Sequence, residues 1–500
     1  MQKGPQGGPP KRPQGRPQGG ANGHPQGGPN GRPQGKPFGT PQGRPQRRQP
    51  ATPKKEIVHR PPTVSRKLAL SALIDVASDG AYSTLALDKH LREARGIRPD
   101  DRRLATALFY GVLEKQSALE FILSKSMDKP SDDVVTRENL KMAVYQIFYM
   151  EIPDYAACGE AVTLSRDMGR EPLCPLVNAV LRRVARDKEQ FVWPEDPMTR
   201  LSLESSTPPW LIRRLIGAMG EEEATAFLKH TDSGHFVSIQ VNTQRTNPDA
   251  LAGALREEGF AVEQGLIPGA LRVQGGGLAD TDAFRQGLFI IQGEASMLAA
   301  MAVGVRGGMQ VFDACAAPGG KSFAMALAMR GSGRVHAMDV HDHRVRLIEA
   351  GAKRLGLDNI RPRVGDARQP AAPLVGAMDA VLVDAPCSGM GILGKPDIRQ
   401  RLRQEELDAL PATQLDILRG SAQLVKPGGT LVYSTCTIFP EENQRVVEKF
   451  LFENPKFSLR GLARNLPEAF REKVQDDMLT LLPQHDGTDG FFIARMVRDE

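Results

Sequence analysis

Between Met309 and Ser434 the chain alternates short apolar runs with helical stretches, and nearly every run leads into an acid or a cysteine. Met309 to Asp313, Arg334 to Asp339, Ile360 to Val364, Ala380 to Asp384 and Gly429 to Ser434 read as strands. Ser322 to Arg330 and Arg344 to Leu355 read as helices between the first three. Strands separated by helices pair in parallel, because a parallel neighbour needs a long crossover. Open parallel sheets hold their ligands at the carboxyl ends of the strands. Those ends carry Asp313, Asp339, Asp366, Asp384 and Cys436. One such Asp alone is an ordinary helix N-cap or turn residue. Five polar residues at five successive strand ends describe a site.

The turn after the first strand reads Cys315-Ala316-Ala317-Pro318-Gly319-Gly320-Lys321. A phosphate-binding P-loop would need Gly at position 315, and the dinucleotide spacing G-x-G-x-x-G is absent. What remains is a glycine turn that lets backbone approach a ligand closely. Asp339 suits a ribose diol, since a carboxylate accepts from two hydroxyls, and Asp366 suits an adenine amino group. Acids with no phosphate to oppose point to a nucleoside cofactor such as S-adenosylmethionine. Cys387 lies in Asp384-Ala-Pro-Cys-Ser-Gly389 and Cys436 in Tyr433-Ser-Thr-Cys-Thr437, both in turns after adjacent strands. Cys158 and Cys174 read as inert buried thiols.

Upstream, residues 64–77, 101–125 and 135–150 place apolar residues at helical spacing, with Leu104, Leu108 and Leu113, or Leu140, Val144 and Phe148, along one face. Residues 63–190 therefore read as an all-helical domain. Residues 200–293 mix strands (Phe236 to Val241, Leu271 to Val273, Leu288 to Gln292) with a helix at Pro248 to Glu258, a small α+β domain; residues 294–500 form the catalytic domain. Residues 1–62 repeat Pro-Gln-Gly six times and offer one aromatic, Phe38. Such a segment has nothing to bury and is expected to be disordered. Twelve of the 65 Lys/Arg and one of the 59 acids fall within 1–60, so the tail carries +11 and the remainder −5. The tail attracts polyanions without sequence preference. No 18-residue apolar run and no secretory h-region occurs, and five sparse cysteines without a CxxC pair argue against disulfides and zinc. The expectation is a cytoplasmic protein with no metal, no membrane and no obligate protein partner.

Asp313 to Ser322, Asp384 to Gly389 and Thr435-Cys-Thr-Ile-Phe-Pro-Glu-Glu-Asn443 resemble the motifs of the Sun (Fmu) family of RNA cytosine-5 methyltransferases. The resemblance extends from Ser238 to Asn242, through Gln292 to Leu298, to Asp486-Gly-Thr-Asp-Gly-Phe-Phe492. The helical domain resembles NusB-like RNA-binding domains at Ile152 to Ala157 and Asn178 to Arg183. The implied architecture is an all-α NusB-like domain, a small α+β domain, and a doubly wound α/β methyltransferase domain. The resemblance implies that Cys436 adds to C6 of the target cytosine, that Cys387 assists elimination and product release, and that Asp384 contacts the N3/N4 edge of the base and the cofactor's methionine part. It also implies that Cys315 to Lys321 cradles methionine and ribose, with Asp339 on the ribose and Asp366 on the adenine. The implied partner is RNA, small-subunit ribosomal RNA foremost. Transfer RNA stays open, as does a non-catalytic RNA-binding assembly factor, although a pure binder has no use for two motif cysteines. DNA cytosine-5 methyltransferases place their nucleophile in a Pro-Cys motif like Pro386-Cys387; the second cysteine motif and the NusB-like domain favour RNA. Two departures stand out: Gly293, where many relatives have Asp, and Gly394 to Asp397, with fewer basic residues than usual, followed by Arg399, Arg401 and Arg403.

Overall fold

The computed structural model describes residues 63–500 except 80–82, 95, 231–235, 275–276, 370 and 393–400. The basic tail, Gly394 to Asp397 and Arg399 lie outside the described residues.

Seven helices open the described chain: α1 (Val64–Asp79), α2 (Ser83–Glu93), α3 (Pro99–Glu114), α4 (Gln116–Ser124), α5 (Val134–Tyr149), α6 (Asp154–Asp167) and α7 (Cys174–Asp187). The apolar stretch 101–125, continuous in the sequence, is two helices. Lys115 leaves helical geometry (φ −102°, ψ 14°), and its ammonium donates to the Glu204 carbonyl at 3.2 Å. The spacing predicts one apolar face on α5. The structure instead buries it almost all round, because it packs against α1, α3, α4, α6 and α7. Its buried polar groups are mostly paired locally: Asn139 donates to Ala161 O at 2.7 Å while its Oδ1 has no partner, Gln146 accepts from Arg66 at 2.7 Å, and Lys141 pairs with Glu138 at 2.8 Å.

Three helices follow: α8 (Pro197–Ser205), α9 (Pro209–Met219) and α10 (Glu221–Lys229). Leu211, Ile212, Leu215 and Phe227 share a core with Met390, Leu407, Ile438 and Phe439. This core lies beneath residues adjoining the two cysteine loops. A four-stranded antiparallel sheet comes next, in the order β2–β3–β1–β4, from β1 (Phe236–Val241), β2 (Ala261–Gln264), β3 (Ala270–Gln274) and β4 (Phe289–Ile291). Helices α11 (Pro248–Glu257) and α12 (Asp282–Arg285) complete the small domain.

Helix α13 (Glu294–Ala302) leads into the large sheet. Its strands are β5 (Gln310–Asp313), β6 (Arg334–Asp339), β7 (Ile360–Val364), β8 (Met378–Asp384), β9 (Val425–Thr435), β10 (Phe457–Leu459), β11 (Met478–Leu481) and β12 (Phe491–Arg498). The order is β10–β12–β9–β8–β5–β6–β7, with β11 on β12. Strands β5 to β9 are parallel, as the alternation predicts. The sheet is nonetheless mixed, because β12 runs antiparallel to β9, β10 and β11. Alternate residues feed opposite faces. Val311, Ala380, Leu382 and Val432 pack under α13, α14 (Gly320–Ala328) and α15 (Asp342–Leu355). Phe312, Val381, Val383 and Tyr433 pack under α16 (Gln404–Ala422) and α17 (Gln444–Glu453).

Buried Glu294 ties the small domain to this body. It accepts from Leu266 N–H at 2.6 Å and from Arg272 Nε at 2.9 Å, and Arg272 also donates to Gly487 O at 2.6 Å. Among the described residues no helix is long and apolar enough to cross a membrane.

Candidate active site

The sheet reverses its direction of growth at β5: β6 and β7 add on one side, β8 and β9 on the other. A ligand crevice opens at such a reversal, between the carboxyl ends of the flanking strands. Asp313 ends β5 and Asp384 ends β8. The remaining groups stand along the same edge: Asp339 ends β6, Asp366 follows β7, Cys387 follows β8 and Cys436 follows β9.

The turn after β5 is pinned on both sides. Ala314 N–H donates to Leu382 O of β8 at 2.9 Å, and Ala316 N–H to Met338 O of β6 at 2.7 Å. Gly319 adopts φ +115°, and a Cβ there would lie 2.3 Å from the Phe323 ring, so only glycine fits. Helix α14 begins at Gly320, leaving first-turn N–H groups without helical partners.

Part-buried Lys321 donates to Asp384 Oδ2 at 2.7 Å and to Ser296 Oγ at 3.1 Å, with Phe491's ring centroid 5.4 Å away. Burial alone would lower the pKa of this ammonium. The adjacent Asp384 carboxylate outweighs burial, so the pKa is raised and the group stays charged. Asp384 Oδ1 also accepts from Ser434 Oγ at 2.8 Å.

Asp313 is fully buried. Its Oδ2 accepts from Ser322 Oγ at 2.7 Å, while Oδ1 has no hydrogen-bond partner. Burial pushes its carboxyl up to about 7, the Ser322 bond opposing and the Asp384 charge adding. Burial, with the charges of Asp313, Asp384 and Asp339, also pushes the Cys315 thiol up. Both polar atoms of the Gln292 amide are buried without partners, and its Cδ would stand 3.4 Å from a Cβ at Gly320. Gln292 thus packs against the glycine turn, a position to which no site role attaches in the sequence.

Asp339 is buried, accepts from His341 N–H at 3.0 Å and faces Arg344 at 3.4 Å. Arg344 donates in turn to Ala317 O at 3.2 Å, joining the glycine turn to the end of β6. Asp366 stands apart from this network. Arg368 Nε reaches both its oxygens at 3.0 Å and Arg368 Nη2 reaches Oδ2 at 2.6 Å, which holds its carboxyl below the usual range.

The two motif cysteines meet. Cys387 Sγ and Cys436 Sγ are 3.2 Å apart, and both are free thiols. Hydrogen bonding to Cys436 and burial push the Cys387 thiol well up. The two sulfurs titrate as a pair, and the loss of a proton from Cys387 is disfavoured beside Cys436. Beneath them lies Glu442, fully buried. It accepts from Ser388 N–H at 2.9 Å, Ser388 Oγ at 2.5 Å, Thr437 Oγ1 at 3.2 Å and Gln414 Nε2 at 2.8 Å. Glu442 lies inside a quoted motif, but the adjacent acids Glu441 and Glu442 are indistinguishable in sequence; the structure leaves only Glu441 part-exposed.

The motif Asp486 to Phe492 presses on the same place. Gly490 N–H donates to Gly391 O and Gly391 N–H to Cys436 O, each at 2.9 Å. A Cβ on Gly391 would lie 1.9 Å from Gly490 O, which explains the glycine pair. At Gly293 a Cβ would lie 2.9 Å from Asp489 Oδ2, so an acid at 293 would stand against a second carboxylate.

Residues 300–497 match the family described as 16S rRNA methyltransferase RsmB/F, residues 63–186 the NusB family, and residues 207–278 the ferredoxin-like domain of RsmF/B-like methyltransferases. The chain is 39% identical over 441 residues, covering 87% of itself and 98% of its relative, to the Bacillus subtilis (strain 168) protein named "Probable ribosomal RNA small subunit methyltransferase B". It is 31% identical, covering 87% of itself and 99% of its relative, to the ribosomal RNA small subunit methyltransferase B of Vibrio vulnificus (strain YJ016). A crystal structure titled PH0851 superimposes on 88% of this chain and 99% of its own, with a TM-score of 0.75 at 28% identity. A helical NusB domain, a ferredoxin-like domain and a mixed methyltransferase sheet with paired cysteines at its edge thus place the chain in the 16S rRNA methyltransferase RsmB/F family.

Proposed function

We propose that the chain transfers a methyl group from S-adenosylmethionine to C5 of a cytosine in small-subunit ribosomal RNA, with Cys436 as covalent nucleophile. The observation that carries this reading is the thiol pair, 3.2 Å apart on adjacent strand ends. The Cys387 thiol is held up by its neighbour and by burial, which suits it less to be the attacking thiolate, and the motif resemblance assigns that role to Cys436.

Cytosine C5 is too weak a nucleophile to act unaided. Attack of the Cys436 thiolate forms an S–C6 bond and moves the C5=C6 electron pair onto C5. S-adenosylmethionine supplies, when bound, a methyl group on a sulfonium that C5 can attack. Cys387, once it has given its own proton to solvent, then takes the C5 proton as a thiolate, the C5–H electrons restore the C5=C6 bond, and the C6–S bond breaks to return the Cys436 thiolate. Cys387 suits the second half. While Cys436 is a thiolate it holds the proton on Cys387; once Cys436 is a thioether that hold is gone. Asp384, fixed by Lys321 and Ser434, is assigned to the N3/N4 edge of the base, where it steadies developing charge. The base must be unpaired or flipped to reach these groups.

The edge of β5, β6 and β7 fits the cofactor. Asp313 Oδ1 and the Gln292 amide are buried without partners beside the glycine turn, so polar capacity is available there. Cys315 to Lys321 would hold methionine and ribose, Asp339 the ribose hydroxyls and Asp366 the adenine. Small-subunit ribosomal RNA is favoured because the relatives are named for it. Bisulfite sequencing of total RNA from a strain lacking this protein tests substrate and position of methylation together. One 5-methylcytosine should vanish from small-subunit ribosomal RNA; loss confined to transfer RNA would overturn the reading.

A further inference from the structure

We infer that Glu442 is a positioning residue that fixes the spacing of the two cysteines, and through it the rate at which the enzyme–RNA bond is broken. The inference rests on the cysteine roles proposed above. Each cysteine is followed by a hydroxyl residue, Ser388 after Cys387 and Thr437 after Cys436. The two hydroxyls are 2.8 Å apart, and both bond to the Glu442 carboxylate. One buried side chain therefore joins loops that are 49 residues apart in sequence. Gln414 on α16 adds a third attachment, donating to Glu442 at 2.8 Å and to Pro386 O at 3.0 Å. Tyr433 closes the set by donating to Glu442 O at 2.6 Å.

No Lys or Arg ion pair reaches Glu442 among the described residues. A buried carboxylate held only by neutral donors is costly to place, and an apolar side chain would fill the same volume more cheaply. What an apolar residue cannot do is accept three hydrogen bonds from two loops and a fourth from α16 at once. The carboxylate also faces Cys387. Its charge adds to hydrogen bonding with Cys436, burial and the Cys436 charge in keeping that thiol protonated. Addition needs only Cys436 and a bound base. Release needs Cys387 at a fixed distance from the C6–S bond. Loosening the clamp should therefore slow the second half more than the first.

The test compares Glu442→Gln with wild type and Cys387→Ala in single-turnover reactions on RNA, counting adduct that survives denaturing gels. Glutamine keeps the shape but cannot satisfy all four donors. Each carboxylate oxygen accepts two bonds, so Glu442→Gln disturbs two of the four and should accumulate on the order of tenfold more adduct than wild type, or above, with cofactor affinity nearly unchanged and melting temperature lowered far less than release is slowed. A residue that merely supports the fold would lower melting temperature, adduct formation and release together. A folded Glu442→Gln protein with no more adduct than wild type overturns the inference, as does one that forms no adduct at all. If Glu442→Gln does not fold, the double variant Ser388→Ala, Thr437→Val carries the same expectation. Failure of Cys387→Ala to trap adduct would instead sink the underlying assignment of the cysteines.

Discussion

The two halves of the sheet edge are built differently. At the ends of β6 and β7 the carboxylates of Asp339 and Asp366 face arginines whose side chains are 44% and 53% exposed. An ion pair with one solvent-exposed partner is worth little, roughly 0–1 kcal/mol, and the exposed arginine rearranges easily. At the ends of β8 and β9 the polar groups are more enclosed: Lys321 and Asp384 are 12% and 27% exposed, and Glu442 is fully buried beneath both cysteine loops. Removing a neutral donor from the buried Glu442 carboxylate leaves its charge less satisfied, at roughly 1–3 kcal/mol. The half assigned to a diffusible cofactor can adjust to a ligand that comes and goes. The half assigned to a covalent step holds its sulfurs at one separation.

Substitutions can break this contrast. The largest effect is expected from Cys436→Ala, which should reduce methyl incorporation into RNA to background and abolish the adduct; measurable turnover would reassign the nucleophile. Asp339→Ala should be intermediate, weakening S-adenosylmethionine binding by about tenfold to a hundredfold in calorimetry, the cost of losing hydrogen bonds to a charged group. Unchanged affinity would remove Asp339 from the cofactor half. The smallest effect is on stability. The folded protein keeps the Asp313 proton up to about 7, whereas the unfolded chain loses it near 3.9. Between those values the native state binds more protons, so stability falls as pH rises from 4 through 7. Asp313→Asn stays neutral and should show a flatter melting temperature from pH 5 to 8. An unaltered slope would mean that Asp313 is not the group responsible.

The catalytic sheet was legible because its signals are local: strand ends, a glycine turn, and two Pro-Cys and Thr-Cys turns can each be read in a few residues. Asp313, Asp339, Asp384, Cys387 and Cys436 all stand on the edge that the alternation specifies. Asp366 follows β7 as expected, but its engagement by Arg368 was invisible, since a charge two residues away faces either way. Glu442 and Gln292 were missed for another reason. Their roles depend on partners 54 and 28 positions away, and no pattern within their own segments encodes that distance. The antiparallel strands β10 to β12 escaped for a related reason: short strands in a chain that already reads as α/β are joined here only by single helical turns, too short to announce a pairing. In the helical domain the spacing found the helices, yet one apolar face on α5 understated a helix packed on every side.

Strand β12 also has a consequence in time. Phe492 and Ile493 pair with Thr435 and Ser434, Gly490 bonds to Gly391, and Phe491 lies against Lys321. Ribosomes make protein from the N-terminus, so every residue assigned to chemistry emerges before the strand that braces it. A nascent chain lacking residues 490–498 would hold both cysteines and the glycine turn without their final support. Catalytic competence would then await the emergence of β12, and a chain released before it would be inert toward RNA rather than partly active.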